Sequence, residues 1–179
     1  MATTTSMTGA QFDALPYEEG RRWELLDGEL IEVSGPTLKH QIIVSRLIIS
    51  LGRYFASGAI GGVAPDVEFE LGDRDRLRPD ICILLGDNWA TANRNRIPIP
   101  GAPDIACEII SPSERTAESA RKVRRYLAAG VKEVWQVFPE EREVIIHTPD
   151  APVRFLDTAQ MLNTQNLPGW SLPVAEIFE

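Results

Sequence analysis

Glu108 stands inside the apolar run Ile105-Ala106-Cys107-Glu108-Ile109-Ile110, where an unpaired charge is costly to desolvate. It therefore needs a partner. One candidate is a divalent cation shared with a second carboxylate, and Asp80 heads the similar run Ile81-Cys82-Ile83-Leu84-Leu85, where it could point into the same crevice at the strand ends. The other candidate is a buried ion pair with an arginine. A third carboxylate, Glu24, lies in Trp23-Glu24-Leu25-Leu26-Asp27-Gly28-Glu29-Leu30-Ile31. Asp-Gly between such residues predicts a two-residue type I′ hairpin, because both central positions need positive φ. Pairing Leu26 with Glu29 then sets Glu24 opposite Ile31, among apolar neighbours.

Lys122 lies on the helix predicted after the Glu108 run, from Thr116 to Ala129, with Thr116 or Ser113 as cap and Gly130 as stop. Ser119, Val123, Tyr126 and Leu127 form its buried side, and Lys122 flanks them, within reach of the strand edge. The run Arg121-Lys122-Val123-Arg124-Arg125 reads either as a solvated face or as a local patch that receives a polyanion. His40, near the start of a long helix, reads as a capping or groove-lining residue rather than a metal ligand. Asp104 opens its strand, Tyr126 reads as core, and Trp23, Trp135 and Trp170 read as core or rim.

Other catalytic signatures are absent. The chain has no Walker A loop, dinucleotide-binding glycine turn, HExxH, paired CxxC or GxSxG, and its two histidines, His40 and His147, leave few bases for a serine or cysteine triad.

The elements that must position these groups follow from periodicity. A short helix through Gln11, Phe12 and Leu15 is expected between Thr8 and Pro16, after a mobile tail over residues 1–7. Leu38 to Phe55 carries Ile42, Ile43, Leu47, Ile48, Leu51 and Phe55 at helical spacing. Val67, Phe69 and Leu71 alternate with Glu68 and Glu70, predicting a half-buried strand closed by a charged loop over Gly72 to Arg76. The runs from Ile81 and Ile105 are apolar enough to be central strands covered on both faces. A Pro-rich loop from Gly86 to Gly101 separates them. A meander over Glu133 to Phe138, Glu143 to Thr148 and Val153 to Leu156 leads to a tail that packs a last apolar turn on the body.

With 179 residues, 44% hydrophobic and 25% charged, the composition predicts a single domain over 1–179 with a sizeable core. A net charge of −8 excludes binding to nucleic acid or anionic membrane through bulk charge. The longest apolar stretch, Ile42 to Leu51, is interrupted by Arg46 and falls short of the roughly 20 residues of a membrane span. Cys82 and Cys107 sit in apolar runs, as buried free thiols of a reducing compartment do. The N-terminal residues lack a basic start and an apolar core, so a cytoplasmic protein is expected.

Taken together, Arg22 to Leu30, Arg78-Pro79-Asp80-Ile81 and Ala102 to Ser113, followed by Lys122 with Tyr126, Ala129-Gly130-Val131 and Glu133-Val134-Trp135, resemble the Uma-two-type restriction endonuclease family. This is a branch of the PD-(D/E)xK nuclease superfamily. The resemblance runs from Phe12 to the C-terminal tail. It implies a restriction-endonuclease-like core of mixed α/β class, a mixed sheet flanked by helices, and metal-dependent hydrolysis of DNA that leaves 5′-phosphate and 3′-hydroxyl ends. Asp80 and Glu108 match the two acidic positions of the motif, and Glu24 matches an additional acid near the N-terminus. The motif lysine would fall at Ile110, a departure that makes Lys122 its candidate replacement. Asp80, Glu108, the Ile109 carbonyl and Glu24 would hold Mg²⁺ or Mn²⁺. Arg78, Arg121, Arg125 and His40 would contact the nucleic acid, and a homodimer would allow both strands to be cut. Two other readings remain: an accessory protein on the nuclease fold, and a hydrolase of a small phosphorylated molecule.

Overall fold

The computed structural model describes residues 6–112 and 115–179. Within the expected N-terminal tail, residues 1–5 lie outside the described residues, whereas Met7 is tied down through its amide, which donates to Gly28 O at 2.8 Å. The short helix α1 (Gly9–Asp13) follows, with Thr8 and Gln11 closing a reciprocal capping box.

Strands β1 (Trp23–Leu26) and β2 (Glu29–Glu32) form the expected hairpin. Asp27 and Gly28 take φ of 55° and 79°, and the register pairs Leu26 with Glu29 and Glu24 with Ile31. Helix α2 (Leu38–Ala56) is capped by the Thr37 side chain, which accepts from His40 N, and it buries Ile43, Val44, Leu47 and Leu51. Ile42 instead faces outward.

Strand β3 (Gly61–Pro65) was not legible as a strand, because Gly61-Gly62 reads as a breaker. Glycine is needed there for packing: a Cβ at Gly62 would lie 2.4 Å from the Trp89 ring. After β4 (Phe69–Gly72), the expected charged loop turns straight into β5 (Asp75–Leu77), whose residues are all buried. Its charges are paired rather than solvated. Arg76 bonds Asp13 and Glu70, and Asp75 bonds Arg125.

Strand β6 (Ile81–Leu85) leads into the interval expected to be loop. It contains helix α3 (Gly86–Thr91) and the two-residue strand β7 (Ile99–Pro100). Both are too short to impose a readable period, and α3 has no buried residue and no side-chain cap. Strand β8 (Ile105–Ile109) is wholly buried. Helix α4 (Thr116–Ala128) has Arg115 at its N-cap without a side-chain cap bond, so Thr116 is not the cap; Ser113 lies outside the described residues. The meander is β9 (Glu133–Phe138), β10 (Glu143–His147) and β11 (Arg154–Leu156). A small hairpin, β12 (Met161–Asn163) with β13 (Ser171–Pro173), and helix α5 (Val174–Phe178) complete the chain.

The central six-stranded sheet runs β11-β10-β9-β8-β6-β3. Only β8 and β9 are parallel; its other neighbours are antiparallel. A parallel pair needs a crossover, and α4 lies in that connection. On one face, Ile81, Ile83, Cys107, Ile109 and Trp135 pack with α2 and the C-terminal Trp170 to Ile177. On the other, Ala106 and Val134 pack with Val123 and Tyr126 of α4 and with Leu26 and Leu77. Leu26 and Leu77 come from the second sheet, ordered β2-β1-β5-β4-β7. The architecture is the mixed α/β class expected from the sequence. Among the described residues no helix is long and apolar enough to cross a membrane.

Candidate functional site

Alternation along β8 sends Cys107 and Ile109 to the α2 face and Glu108 to the α4 face. The antiparallel register pairs Ile81 with Cys107, so Asp80, one residue earlier, comes beside Glu108, one residue later. Asp80 Oδ2 accepts from Ile109 N at 2.7 Å, which fixes the carboxylate at the end of the ladder. Its Oδ1 lies 3.1 Å from His40 Nε2.

Glu108 is 6% exposed. Its Oε1 accepts from the Tyr126 hydroxyl at 2.7 Å, and its Oε2 is 3.7 Å from Lys122 Nζ. The ammonium of Lys122 is closer still to Glu24, at 2.8 Å from Oε2. Glu24 Oε1 accepts from Arg78 N at 2.9 Å, so β1 is bound to the segment that leads into β6. Thus Glu24, Asp80, Glu108 and Lys122, far apart in the chain, form one cluster.

All four line a cavity of about 640 Å³, together with His40, Arg78, Ile109, Ile110 and Ser111. Tyr17, Arg21, Arg22, Trp23 and Ile97 also line it. The Arg78 guanidinium bonds Glu68 at 2.7 Å within this lining.

Arg121 and Arg125 do not join them. Although one or three residues from Lys122, they face the hairpin turn: Arg121 bonds Glu29 at 2.7 Å, Asp27 at 3.3 Å and Leu26 O at 3.0 Å. Arg125 bonds Asp75, which is fully buried, and Asp27. The basic run of α4 is thus divided: Lys122 lines the cavity, Arg124 is exposed, and Arg121 and Arg125 clamp the helix to the hairpin that carries Glu24.

The charge of the cluster is felt by its neighbours. Burial first, and then Glu108, Glu24 and Asp80, push the Tyr126 hydroxyl well above its ordinary pKa. Burial, Asp80 and Glu108 do the same to the Cys107 thiol. Cys82, farther along β6, is pushed up to about 12, chiefly by burial. Both thiols are free and buried.

Among the described residues, no three His, Cys, Asp or Glu side chains gather closely enough to cage a metal ion. Two adjacent carboxylates with a backbone carbonyl nevertheless suit Mg²⁺, which keeps several waters and takes one or two carboxylates rather than a full protein cage.

Sequence reasoning undervalued two groups. His40 was expected to cap or line the groove; its backbone does bond the Thr37 cap, but its ring meets Asp80. Tyr126 was expected to be core, and its hydroxyl is bound to Glu108. The available signal was its spacing, one helical turn beyond Lys122 on the same face.

Residues 10–175 match the family described as "Uma2: Putative restriction endonuclease". The chain belongs to this family. A crystal structure from Anabaena variabilis ATCC 29413, described as a "putative nuclease belonging to DUF820", superposes with a TM-score of 0.83. It is 22% identical and the match covers 96% of this chain and 97% of that one. The likeness shows a shared restriction-endonuclease-like fold. Among curated proteins there is no match. In this Uma2 family member, the matched segment contains every residue of the cavity cluster.

Proposed function

We propose that this protein is a Mg²⁺- or Mn²⁺-dependent endonuclease that hydrolyses phosphodiester bonds of DNA. The observation that carries the reading is the placement of Lys122 between Glu24 and Glu108, beside Asp80, on the wall of an open cavity in a chain of this family.

Asp80, Glu108 and the Ile109 carbonyl would hold the cation. When bound, the cation supplies charge neutralisation at the phosphate and makes a nearby water more acidic. Lys122 contributes a positive point charge, fixed by Glu24, for the negative charge that builds on the phosphoryl oxygens. It thereby replaces the lysine missing at Ile110. Glu24, with one oxygen on Arg78 N and the other on Lys122, acts on the lysine rather than on the metal. Arg78 and His40, which also line the cavity, would contact the nucleic acid. Cutting both strands of a duplex would require two copies, and the free cysteines suit a cytoplasmic setting.

The test is cleavage of supercoiled plasmid and of single-stranded DNA with Mg²⁺ or Mn²⁺, by wild type and by a folded Asp80→Asn variant. Cleavage by wild type alone is expected. Equal inertness across both substrates and both metals overturns the reading.

One observation favours a second reading, a hydrolase of a small phosphorylated molecule. The cavity is lined by ten Asp or Glu residues and five Lys or Arg residues, a surface that tolerates a small substrate better than a long polyanion. Salt separates the two: DNA binding should weaken steeply as salt rises, and a small ligand only slightly.

A further inference from the structure

The three acids are held by different donors, and the donor on Glu108 is the unusual one. Asp80 is fixed by a backbone amide and Glu24 by another. Glu108 is fixed by a side chain, the Tyr126 hydroxyl, on a residue with no exposed surface. The ring lies among Leu26, Leu77, Ala106, Val123, Val131 and Val134, which leave it no freedom to swing. A buried tyrosine hydroxyl takes a hydrogen-bond partner, and here the strand beneath the helix supplies it.

The sequence places that hydroxyl. Lys122 and Tyr126 are four residues apart on α4, hence neighbours on one face, and both reach Glu108. Glu108 is adjacent to Gln136 across the β8–β9 ladder, and Gln136 Nε2 donates to Ser119 Oγ of the same helix at 2.7 Å. Ser119, Lys122 and Tyr126 therefore hold α4 over Glu108 by polar contacts on either side of it. A carboxylate has two oxygens and rotates freely unless one is pinned. With Oε1 pinned by Tyr126, Oε2 is the oxygen turned toward Lys122 and the cavity.

We infer that Tyr126 is a positioning residue, which sets the rotamer of Glu108 so that its carboxylate presents a divalent cation with a preformed ligand. The inference rests on the metal-dependent reading above. Partners that hold a ligating side chain typically contribute a factor of 10 to 100 in metal affinity.

Calorimetric titration with Mn²⁺ of wild type, Tyr126→Phe and Glu133→Ala tests it, with thermal melts on each. Tyr126→Phe keeps the ring and removes only the hydroxyl. Its Kd is expected to rise about tenfold or more. Glu133→Ala, which orphans buried donors at the far end of β8 and leaves the surroundings of the Tyr126 ring intact, is expected to melt earlier with Kd unchanged. A Kd for Tyr126→Phe within twofold of wild type overturns the inference, as does an equal loss of affinity in Glu133→Ala.

A second measurement needs no variant. The chain has three tyrosines, so full-length protein labelled with 3-fluorotyrosine gives three fluorine resonances. Tyr54 bonds Pro168 O outside the cavity, whereas Tyr17, 89% exposed, lines it, so Mg²⁺ should move the Tyr126 line and leave the Tyr54 line in place. If Mn²⁺ binds by calorimetry and the Tyr126 line stays fixed on Mg²⁺ addition, the inference falls and the metal reading stands. If wild type binds neither ion, both fall together.

Discussion

Lys122 Nζ lies 2.8 Å from Glu24 Oε2, and the two side chains are only 13% and 5% exposed. This pair joins the first strand of one sheet to the helix that covers the other. Glu108 Oε2, at 3.7 Å, shares the same ammonium. One cation therefore serves two buried carboxylates, an arrangement that tightens electrostatic coupling because little solvent screens it.

Removing that cation leaves two like charges buried together. Lys122→Ala is expected to lose about 3 kcal/mol of stability, as when one member of a buried pair is removed. The nuclease rate should fall about a hundredfold or more if the ammonium faces developing charge. Lys122→Arg should recover stability more than rate, since its planar fork does not reproduce a point charge. Urea unfolding and single-turnover cleavage check the two effects separately.

Glu133 is a buried carboxylate of another kind. It receives hydrogen bonds from Trp135 Nε1 at 2.8 Å, from Asn166 Nδ2 at 2.8 Å and from the Thr164 hydroxyl. It stands opposite Ile105, at the far end of β8 from Glu108. Glu133→Ala orphans three donors and should cost about 3 kcal/mol, while Mn²⁺ affinity stays at the wild-type value. A calorimetric change as large as that of Asp80→Asn would show that the two ends of β8 are coupled.

His147 gives stability a pH dependence. Burial lowers its pKa below the ordinary 6.5, and its Nε2 meets Gln136 Oε1 at 2.7 Å. The unfolded chain therefore takes up this proton at higher pH than the folded one. The contribution is present in full above about pH 6.5 and is lost as pH falls through the lowered folded value. The wild-type urea midpoint should thus fall between pH 7.5 and 5.5 by more than that of His147→Asn. Equal falls in the two proteins would assign the whole effect to carboxylates.

The sequence alone determined the β1–β2 hairpin, the strands β6 and β8, the helices α2 and α4 and the meander, though not β3, β5, α3 or β7, and it singled out Glu24, Asp80 and Glu108 as candidate acids. The Asp-Gly turn fixes its own backbone and, with it, the register that faces Glu24 toward Ile31. The apolar runs from Ile81 and Ile105 read as central strands, and a charge inside one of them, Glu108, requires a buried partner because desolvation is costly without one. Periodicity likewise yields α2 and α4, since each buries a stripe.

Only the tertiary structure decided what those charges meet. Asp75 and Arg76 read as loop because nothing local compensates buried charges; their partners, Arg125, Asp13 and Glu70, come from other elements. The run over 121–125 read as one basic patch, yet helix geometry divides it, sending Lys122 to the acids and Arg121 and Arg125 to the hairpin turn. His40 carried no signal of its own and Tyr126 only its spacing from Lys122, because a histidine or tyrosine on a helix is equally at home in a core. What assigns them to Asp80 and Glu108 is the stacking of α2 and α4 on opposite faces of one sheet, which periodicity along the chain does not encode.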